Sequence, residues 1–450
     1  MTSDMGDHAV SWEQKKQAAT LLCAQLRDAG FQALFAGGCV RDVLLNRAPQ
    51  DIDIATNAHP QDIIRLFPKT VAVGAQFGVV IVVCNEGLFE IATFRKDGPY
   101  LDGRRPASVS FTDAENDARR RDFTINALFL DPVTDEVLDY VDGQADLRAG
   151  IVRAVGDARA RFQEDYLRLL RAVRFAARLD FHIAPDTLAA MHDMADNIRA
   201  TSQERIRDEL LKMLTEGRAR TALETLDATG LLAQILPEVT ATHGVEQPSG
   251  HPEGDVWAHT LLMLAQLPAH VSHTLALAAL LHDVGKPDTQ TFEERIRFPR
   301  HEKTGAHMSD AIGRRLRLPK RTVQRVVWLV ENHMRLKDFM NMRKNRQIRF
   351  ARKEGFGELL ALCRMDALAS HGDTAFIDAI ERRVQELGSE SLRPPPLLTG
   401  RDLLAMGYAP GPRFREILGS VESLQLEGRL NDTADAKEYV LKTFPPTEQE

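Results

Sequence analysis

Phe35-Ala-Gly-Gly-Cys-Val-Arg-Asp-Val-Leu-Leu-Asn-Arg-Ala-Pro-Gln-Asp-Ile-Asp-Ile-Ala-Thr56 decides the reading of this chain. Ala33 to Ala36 is a short apolar run of the kind that forms a buried strand. Gly37 and Gly38 follow, and a helical pattern begins with Val40, Val43 and Leu44. A glycine pair that opens a helix leaves backbone N–H groups free to hold phosphate oxygens, aided by the helix dipole. The chain returns as Asp51-Ile-Asp-Ile-Ala55. Alternation along a strand puts Ile52 and Ile54 on one face and Asp51 and Asp53 together on the other. Two adjacent carboxylates are hard oxygen ligands for Mg²⁺, which takes carboxylates together with substrate phosphates.

The whole chain bounds what this segment serves. Its 450 residues suggest about three domains. Hydrophobic content of 44% with 27% charged residues is that of a soluble globular protein. No apolar run approaches the roughly 18 residues of a membrane span. Met1 to Val10 carries acidic residues and no apolar core, so it does not read as a signal peptide. Cys23, Cys39, Cys84 and Cys363 form no Cys-x-x-Cys pair, which argues against a zinc ribbon or disulfide framework and fits the cytoplasm. With 57 basic and 64 acidic residues the net charge is −7, so RNA binding has to use local basic patches.

The ordered combination of strand, Gly-Gly, helix with Arg41 and Asp42, and strand with two aspartates resembles the class II tRNA nucleotidyltransferase and bacterial poly(A) polymerase family, within the polymerase-β-like nucleotidyltransferases. Around it, residues 11 to 29 read as an amphipathic helix ending at Gly30. His59-Pro60 opens a short helix to about Phe67. Gly78 to Cys84 and Leu88 to Phe94 read as strands of a hairpin turning at Asn85-Glu86-Gly87. Glu90 alternates with Phe89 and Ile91, and the resemblance makes it a third carboxylate beside Asp51 and Asp53. Residues 96 to 110 read as a mobile loop or a solvated hairpin tip, with Asp102 and Arg105 placed for polar contacts over the site in the family. Arg120-Arg-Asp-Phe-Thr-Ile-Asn126-Ala-Leu resembles the family's second motif. It implies Arg121 for phosphate, and Asp122 and Asn126 for ribose hydroxyls and nearby backbone. Asp142-Gly143, with Asp146-Leu147, resembles the third motif, a turn leading to the next domain.

Glu164 to Leu179 reads as one strong helix with arginines at steps of three and four. Asp165 and Arg168 then share a face. Cytosine and adenine both show an exocyclic amine beside a ring-nitrogen acceptor, where uracil and guanine show a carbonyl beside a protonated nitrogen. A fixed Asp–Arg pair accepts the first two and rejects the others by base-edge logic. The resemblance assigns this role to Glu-Asp-x-x-Arg, matched by Glu164, Asp165 and Arg168. Arg171, Arg174 and, in the first segment, Arg41 join the expected nucleotide-binding set with Gly37 and Gly38. Gln203 to Leu210 resembles the last motif, a helix that braces the selector.

Most of the 14 histidines fall after residue 240. His259, Leu281-His-Asp-Val-Gly-Lys286, His301, His333 and Asp366 follow in an order that resembles the HD phosphohydrolase superfamily, a helical fold that binds divalent metal. The resemblance implies His259, His282, Asp283 and Asp366 as ligands of one metal of unknown identity, with His301 and His333 taking a second metal or phosphate. Arg335 to Lys353 holds eight Lys or Arg and one acidic residue, read as a solvated face or a phosphate contact. Residues 389 to 399 read as a linker, and Gly400 to about Lys442 as a small helical element.

The expected fold class is therefore α+β: a small mixed-sheet nucleotidyltransferase head at 1–155 and an α-helical nucleotide-selecting, RNA-binding neck at 156–235. An all-α metal-binding HD domain follows at 236–390, with a helical C-terminal element at 391–450. The expected activity is template-independent addition of C and A to tRNA 3′ ends from CTP and ATP. Asp51 and Asp53 hold two Mg²⁺ ions, and the RNA 3′-hydroxyl attacks the α-phosphorus in line with pyrophosphate leaving. Expected partners are tRNA, CTP and ATP, with no DNA and no membrane. A poly(A) polymerase, a CC-only or A-only enzyme, and an HD phosphohydrolase with an RNA-binding head stand as alternatives.

Overall fold

The structure is a computed structural model that describes residues 11–72, 74, 77–98, 100, 108–248, 254–388, 392 and 394–445. Asp102 and Arg105 lie outside the described residues. The chain divides into two compact units. The first runs to Thr240 and takes in Leu267–His270 and Arg315–Arg317; the second holds the remainder.

The first unit begins with α1 (Trp12–Asp28), capped by Ser11 in a reciprocal box with Gln14 and closed before Gly30 at φ +89°. Its buried face, Ala18, Ala19, Leu22, Cys23 and Leu26, covers a seven-stranded mixed sheet. The strands are β1 (Ala33–Ala36), β2 (Asp53–Thr56), β3 (Thr70–Val71), β4 (Val79–Cys84), β5 (Gly87–Thr93), β8 (Phe129–Leu130) and β9 (Val137–Leu138), in the order β3-β4-β5-β2-β1-β8-β9. Outside the sheet, β6 (Arg95–Asp97) and β7 (Val109–Phe111) pair antiparallel. The stretch expected as a loop from 96 to 110 is thus anchored at both ends as a ladder.

β2 is antiparallel to β1 and parallel to β5, which places Asp53 opposite Glu90. Ile54 and Ile91, one step on, are both fully buried and fix the face on which the two acids stand. The strand starts at Asp53, so Asp51 is not a strand residue as expected. Ile52 is still buried between the two aspartates, so the alternation extends past the ladder without hydrogen bonds to carry it.

The helices of this unit are α2 (Gly38–Leu44), α3 (Pro60–Leu66), α4 (Ala114–Arg119), α5 (Gly143–Ala149), α6 (Ala158–Glu164), α7 (Leu167–Leu179), α8 (Pro185–Met194), α9 (Gln203–Thr215), α10 (Ala219–Ala228), α11 (Leu231–Ile235) and α12 (Pro237–Thr240). α7 is the central one: eleven of its thirteen residues are buried, and it packs on α9 and α10. The single helix expected from Glu164 to Leu179 is broken. α6 ends at Glu164, and Asp165 takes an extended conformation, φ −154°, ψ 105°. Its carboxylate accepts the Leu167 N–H at 3.1 Å, so it starts α7 rather than lying within it.

Among the described residues the second unit is helical apart from a short hairpin and an isolated bridge between Glu246 and Asp255. It holds α13 (Val256–Ala265), α14 (His273–Leu281), the hairpin β10 (Thr291–Phe292) with β11 (Ile296–Arg297), α15 (His301–Arg315), α16 (Lys320–Asn332), α17 (Lys344–Ala351), α18 (Phe356–Ser370) and α19 (Ala375–Leu387). Leu275 to Leu281 of α14 are all buried, as expected of an apolar helix surrounded by α13, α16 and α18. Three further helices, Gly400–Ala405, Pro412–Leu426 and Thr433–Thr443, share a core of Leu403, Ile417, Val421, Ala436 and Val440. No helix among the described residues is long and apolar enough to cross a membrane.

Candidate active sites

In the first unit a cavity of about 550 Å³ opens between the sheet and α7. Gly37, Gly38, Asp53 and Glu90 line one side, Arg121, Asp122 and Asn126 another, and Asp165, Arg168 and Arg171 a third. Arg41, Arg95, Arg120 and Arg205 complete an arginine-rich wall. Such a wall suits a triphosphate, since guanidinium forks match phosphate oxygens bidentately.

Asp53 is open to the cavity, yet the surrounding walls strip much of its water. That desolvation, with Glu90 as the stronger of two like charges, pushes its carboxyl up to about 6 against the pull of Arg121. Asp51 is exposed and is not part of the cavity lining, although its charge adds to the same push. The three head carboxylates are not gathered within 4.8 Å of one another. Asp53 and Glu90 offer hard oxygens side by side, and a divalent cation relieves their repulsion, so the donor set fits one.

A buried polar chain braces the rest. Arg41 lies in α2, donates to Asn126 Oδ1 at 2.5 Å and pairs with Asp42 at 2.7 Å. Asn126 donates to Asp122 Oδ1 at 3.1 Å, and Asp122 accepts from Arg171 at 2.6 Å. Arg121 lies across Gly37, held by Asp117 at 3.1 Å. A Cβ at Gly37 would meet its guanidinium at 2.7 Å, and φ of +72° there favours glycine in any case.

Burial alone would raise the Asp122 carboxyl, but Arg171 and Arg168 outweigh it and hold it at about 2. A depressed carboxylate stabilises the fold above its unfolded value of about 3.9, and that contribution is lost as pH falls through the folded value. Stability of the first unit should therefore drop by about 2 kcal/mol more between pH 4 and pH 2 than in an Asp122→Asn variant. Urea midpoints followed against pH check this; parallel profiles for the two proteins would contradict it.

The selector residues are placed differently from the sequence expectation. Asp165 and Arg168 both face the cavity, but neither holds the other. Arg205 of α9 forks onto Asp165, at 3.0 and 2.7 Å. Arg168 pairs with Glu164 and donates to the Arg161 carbonyl at 2.8 Å. Arg174 does not reach the cavity. It is buried, paired with Glu209 at 2.6 Å, and stacks over Phe175. Nothing local in sequence marks the Arg205–Asp165 contact, which spans 40 positions.

In the second unit six ligand-type residues meet at a cavity of about 380 Å³. They fall into two sets, His259, His282 and Asp366, and Asp283, His301 and His333. Asp283 thus stands in the second set and not only with His282 as expected. Its Oδ2 lies 3.2 Å from His282 Nε2 and its Oδ1 3.4 Å from His301 Nε2, so it bridges the sets. His259 Nε2 is 3.2 Å from Asp366 and 3.2 Å from His282 Nε2.

Three of these imidazoles have a fixed tautomer. Nδ1 of His282, His301 and His333 each faces a carbonyl three residues back, at 3.0, 3.0 and 2.6 Å. Only an N–H can satisfy a carbonyl, so Nε2 keeps its lone pair toward the cluster. Burial and the nearby His282 push His333 down to about 4, which keeps it neutral. Imidazole plus carboxylate fits a divalent transition metal or Mg²⁺. Gly285 makes the approach possible: a Cβ there would lie 2.4 Å from the His301 carbonyl. Lys286, Arg295, Arg297 and Lys337 ring the cavity, and of these Arg295 and Arg297 were not legible as site residues.

Comparison with known proteins places three family models on this chain. The Poly A polymerase head domain family matches residues 33–153, the probable RNA and SrmB-binding site of polymerase A matches 180–242, and the HD domain matches 256–369. A CCA-adding enzyme of Levilactobacillus brevis is 33% identical over 414 residues, covering 90% of this chain and 92% of its own. That of Geobacillus stearothermophilus is 44% identical over 220 residues, 49% of this chain and 54% of its own. Among solved structures, the Bacillus stearothermophilus CCA-adding enzyme in complex with CTP aligns with a TM-score of 0.72 at 28% identity, over 95% of this chain and 98% of that one. The Thermotoga maritima CCA-adding enzyme complexed with tRNA shares the fold, with a TM-score of 0.59 at 19% identity over 95% of each chain.

Proposed function

The chain belongs to the family of CCA-adding enzymes, and from that premise we propose that it adds C and A to the 3′ end of tRNA, from CTP and ATP and without a nucleic-acid template. The observation that carries this reading is one cavity that joins Asp53 and Glu90 to Asp165, Arg168 and a wall of arginines. Acid–acid and acid–base pairs of these two kinds serve different tasks, phosphoryl chemistry and base recognition, and the reaction needs both within one nucleotide's length.

We assign Asp53 and Glu90, with Asp51 as an accessory ligand from outside the cavity lining, to hold divalent cations, Mg²⁺ in this reading. When bound, these cations supply charge neutralisation at the triphosphate and a lowered pKa for the RNA 3′-hydroxyl. Arg121 and the backbone at Gly37 and Gly38 hold phosphate oxygens. Arg41, Asp122, Asn126 and Arg171 keep the floor of the cavity fixed, so that positioning costs little at the moment of reaction. Asp165 accepts a hydrogen bond from the base amine and Arg168 donates to its ring acceptor. In this scheme residues 1–155 form the catalytic head, 156–235 the neck, 236–390 the HD domain and 391–450 a small C-terminal element. Cytoplasmic residence is in keeping with four cysteines that are all free.

Sequencing the 3′ ends made from tRNAs that stop before CCA, after C and after CC tests the activity. Completion of all three to CCA is the expected result. Poly(A) tails, or extension of only some substrates, would replace it with the poly(A), CC-only or A-only activity.

The second cavity we read as a phosphohydrolase site, with His259, His282, Asp283, Asp366, His301 and His333 as ligands of divalent metal and the ring of cations as phosphate holders. The two activities should separate. Asp283→Asn and Asp283→Ala should remove hydrolysis of a phosphate ester and leave CTP and ATP incorporation within about twofold of wild type, because no cavity residue is shared. If both activities fell together in a variant that still unfolds cooperatively, the two-site reading would be wrong.

A further inference from the structure

The stretch from Arg335 to Lys353 carries eight Lys or Arg and one acid in a chain of net charge −7. At the chain's average of 57 basic residues in 450 it would hold between two and three. The fold sorts these cations. α17 turns Gln347, Ile348 and Phe350 inward, with Ile348 packed on Leu387 and Leu426. Arg349 and Arg352 are tied to Glu422 at 2.6 and 2.7 Å. Arg343, Lys344, Arg346 and Lys353 are exposed, and among the described residues no carboxylate pairs with them. Arg343 is the N-cap of α17 and Lys344 and Arg346 lie in its first turn, so three of the unpaired cations cluster at one end of the helix, while Lys353 follows its last residue, Ala351.

This arrangement runs against the fold's own electrostatics. The first turn of α17 holds no acid, and the helix dipole adds to the repulsion among Arg343, Lys344 and Arg346. Exposed cations with no internal partner, crowded at a helix N-terminus, are free to take an anion from outside, which would relieve their mutual repulsion. A strip of exposed guanidinium and ammonium groups from Arg343 through the first turn of α17, with Lys353 past its end, suits a row of phosphates better than a single small anion.

We propose that this strip of the second unit is a docking surface for the phosphodiester backbone of tRNA, separate from both cavities. The proposal rests on the tRNA reading above and extends it to residues that touch no nucleotide.

The test is the triple variant Arg343→Ala, Lys344→Ala, Arg346→Ala in the full chain. Its control is Arg119→Ala, Arg220→Ala, Arg314→Ala, which removes the same charge from exposed arginines paired with Glu115, Glu224 and Asp310. tRNA affinity is measured against salt concentration, with the KM for CTP at saturating tRNA as a second readout. Losing three phosphate contacts should weaken tRNA binding roughly tenfold at about 0.1 M salt and make the log–log salt slope shallower by about two to three. The control should keep the wild-type slope, the CTP KM should stay unchanged in both, and Arg343→Lys with Arg346→Lys should retain wild-type binding. A patch variant that binds tRNA as wild type does, or no more weakly than the control, overturns the proposal. Wild-type protein that adds nothing to tRNA overturns the functional reading as well, whereas normal addition with an unaffected patch variant sinks only the docking surface.

Discussion

Asp53→Asn should lower incorporation of both CTP and ATP by about 10³-fold, while tRNA binding and the folded state persist. Asp53 is the first residue of β2 and faces Glu90 across a parallel ladder, with Ile54 and Ile91 buried behind. The scaffold is therefore apolar and independent of the acids. Asparagine keeps the shape and removes the charge, so the cavity loses one of the two carboxylates that face each other across the β2–β5 ladder, without a packing defect. The carboxyl sits at about 6 because desolvation and Glu90 oppose its ionisation. The folded chain holds this charge against its own electrostatics, so its removal should cause no loss of stability. Rapid-quench incorporation assays and urea unfolding separate the two effects. A variant with normal turnover would remove Asp53 from the chemistry; a variant that unfolds would make its role structural. Asp51→Asn is expected to have a smaller effect, since Asp51 precedes the strand and stands outside the cavity lining.

What could be read from residues alone followed the range of the forces involved. The β1–Gly37–α2–β2 unit is local. Period-two alternation, a glycine pair and a short apolar run each act within a few positions, and their order survives in the structure. The order of histidines and aspartates after residue 240 was legible for a related reason, since ligand-type residues in apolar helices are rare. Long-range pairings were not legible. Arg174 looks like its neighbours in the arginine series, and only Glu209, 35 positions away, turns it into a core ion pair. Asp165 lies in Gln163-Glu-Asp-Tyr, with no Gly or Pro to mark the helix break. The break arises because the Asp165 carboxylate satisfies the Leu167 N–H and Arg205 together, a tertiary contact that overrides helix propensity. The resemblance to the HD superfamily puts Asp283 in one ligand set with His259, His282 and Asp366. The structure shows that its two oxygens point to different histidines, which spacing cannot express.

The placement of Asp165 and Arg168 sharpens the largest specificity effect expected of this chain. Each is gripped from behind, Asp165 by the fork of Arg205 and Arg168 by Glu164, so neither needs the other to keep its direction. Cytosine and adenine present an amine to the carboxylate and a ring acceptor to the guanidinium; uracil and guanine present the reverse. Asp165→Ala leaves the amine unpaired and removes the penalty against a carbonyl at the same place. If the 1–3 kcal/mol of a bidentate base contact in duplex recognition applies, discrimination for CTP and ATP over UTP and GTP should fall by roughly 5- to 150-fold. Arg205→Ala should move the same ratio in the same direction by less, because the carboxylate remains but loses its anchor. Arg174→Ala should lower stability and leave the ratio alone, because its partner is Glu209 in the core. All four nucleotides measured against one tRNA substrate decide among these. Uniformly lower rates with an unchanged order in Asp165→Ala would mean that the corner between α6 and α7 positions the nucleotide and does not choose it.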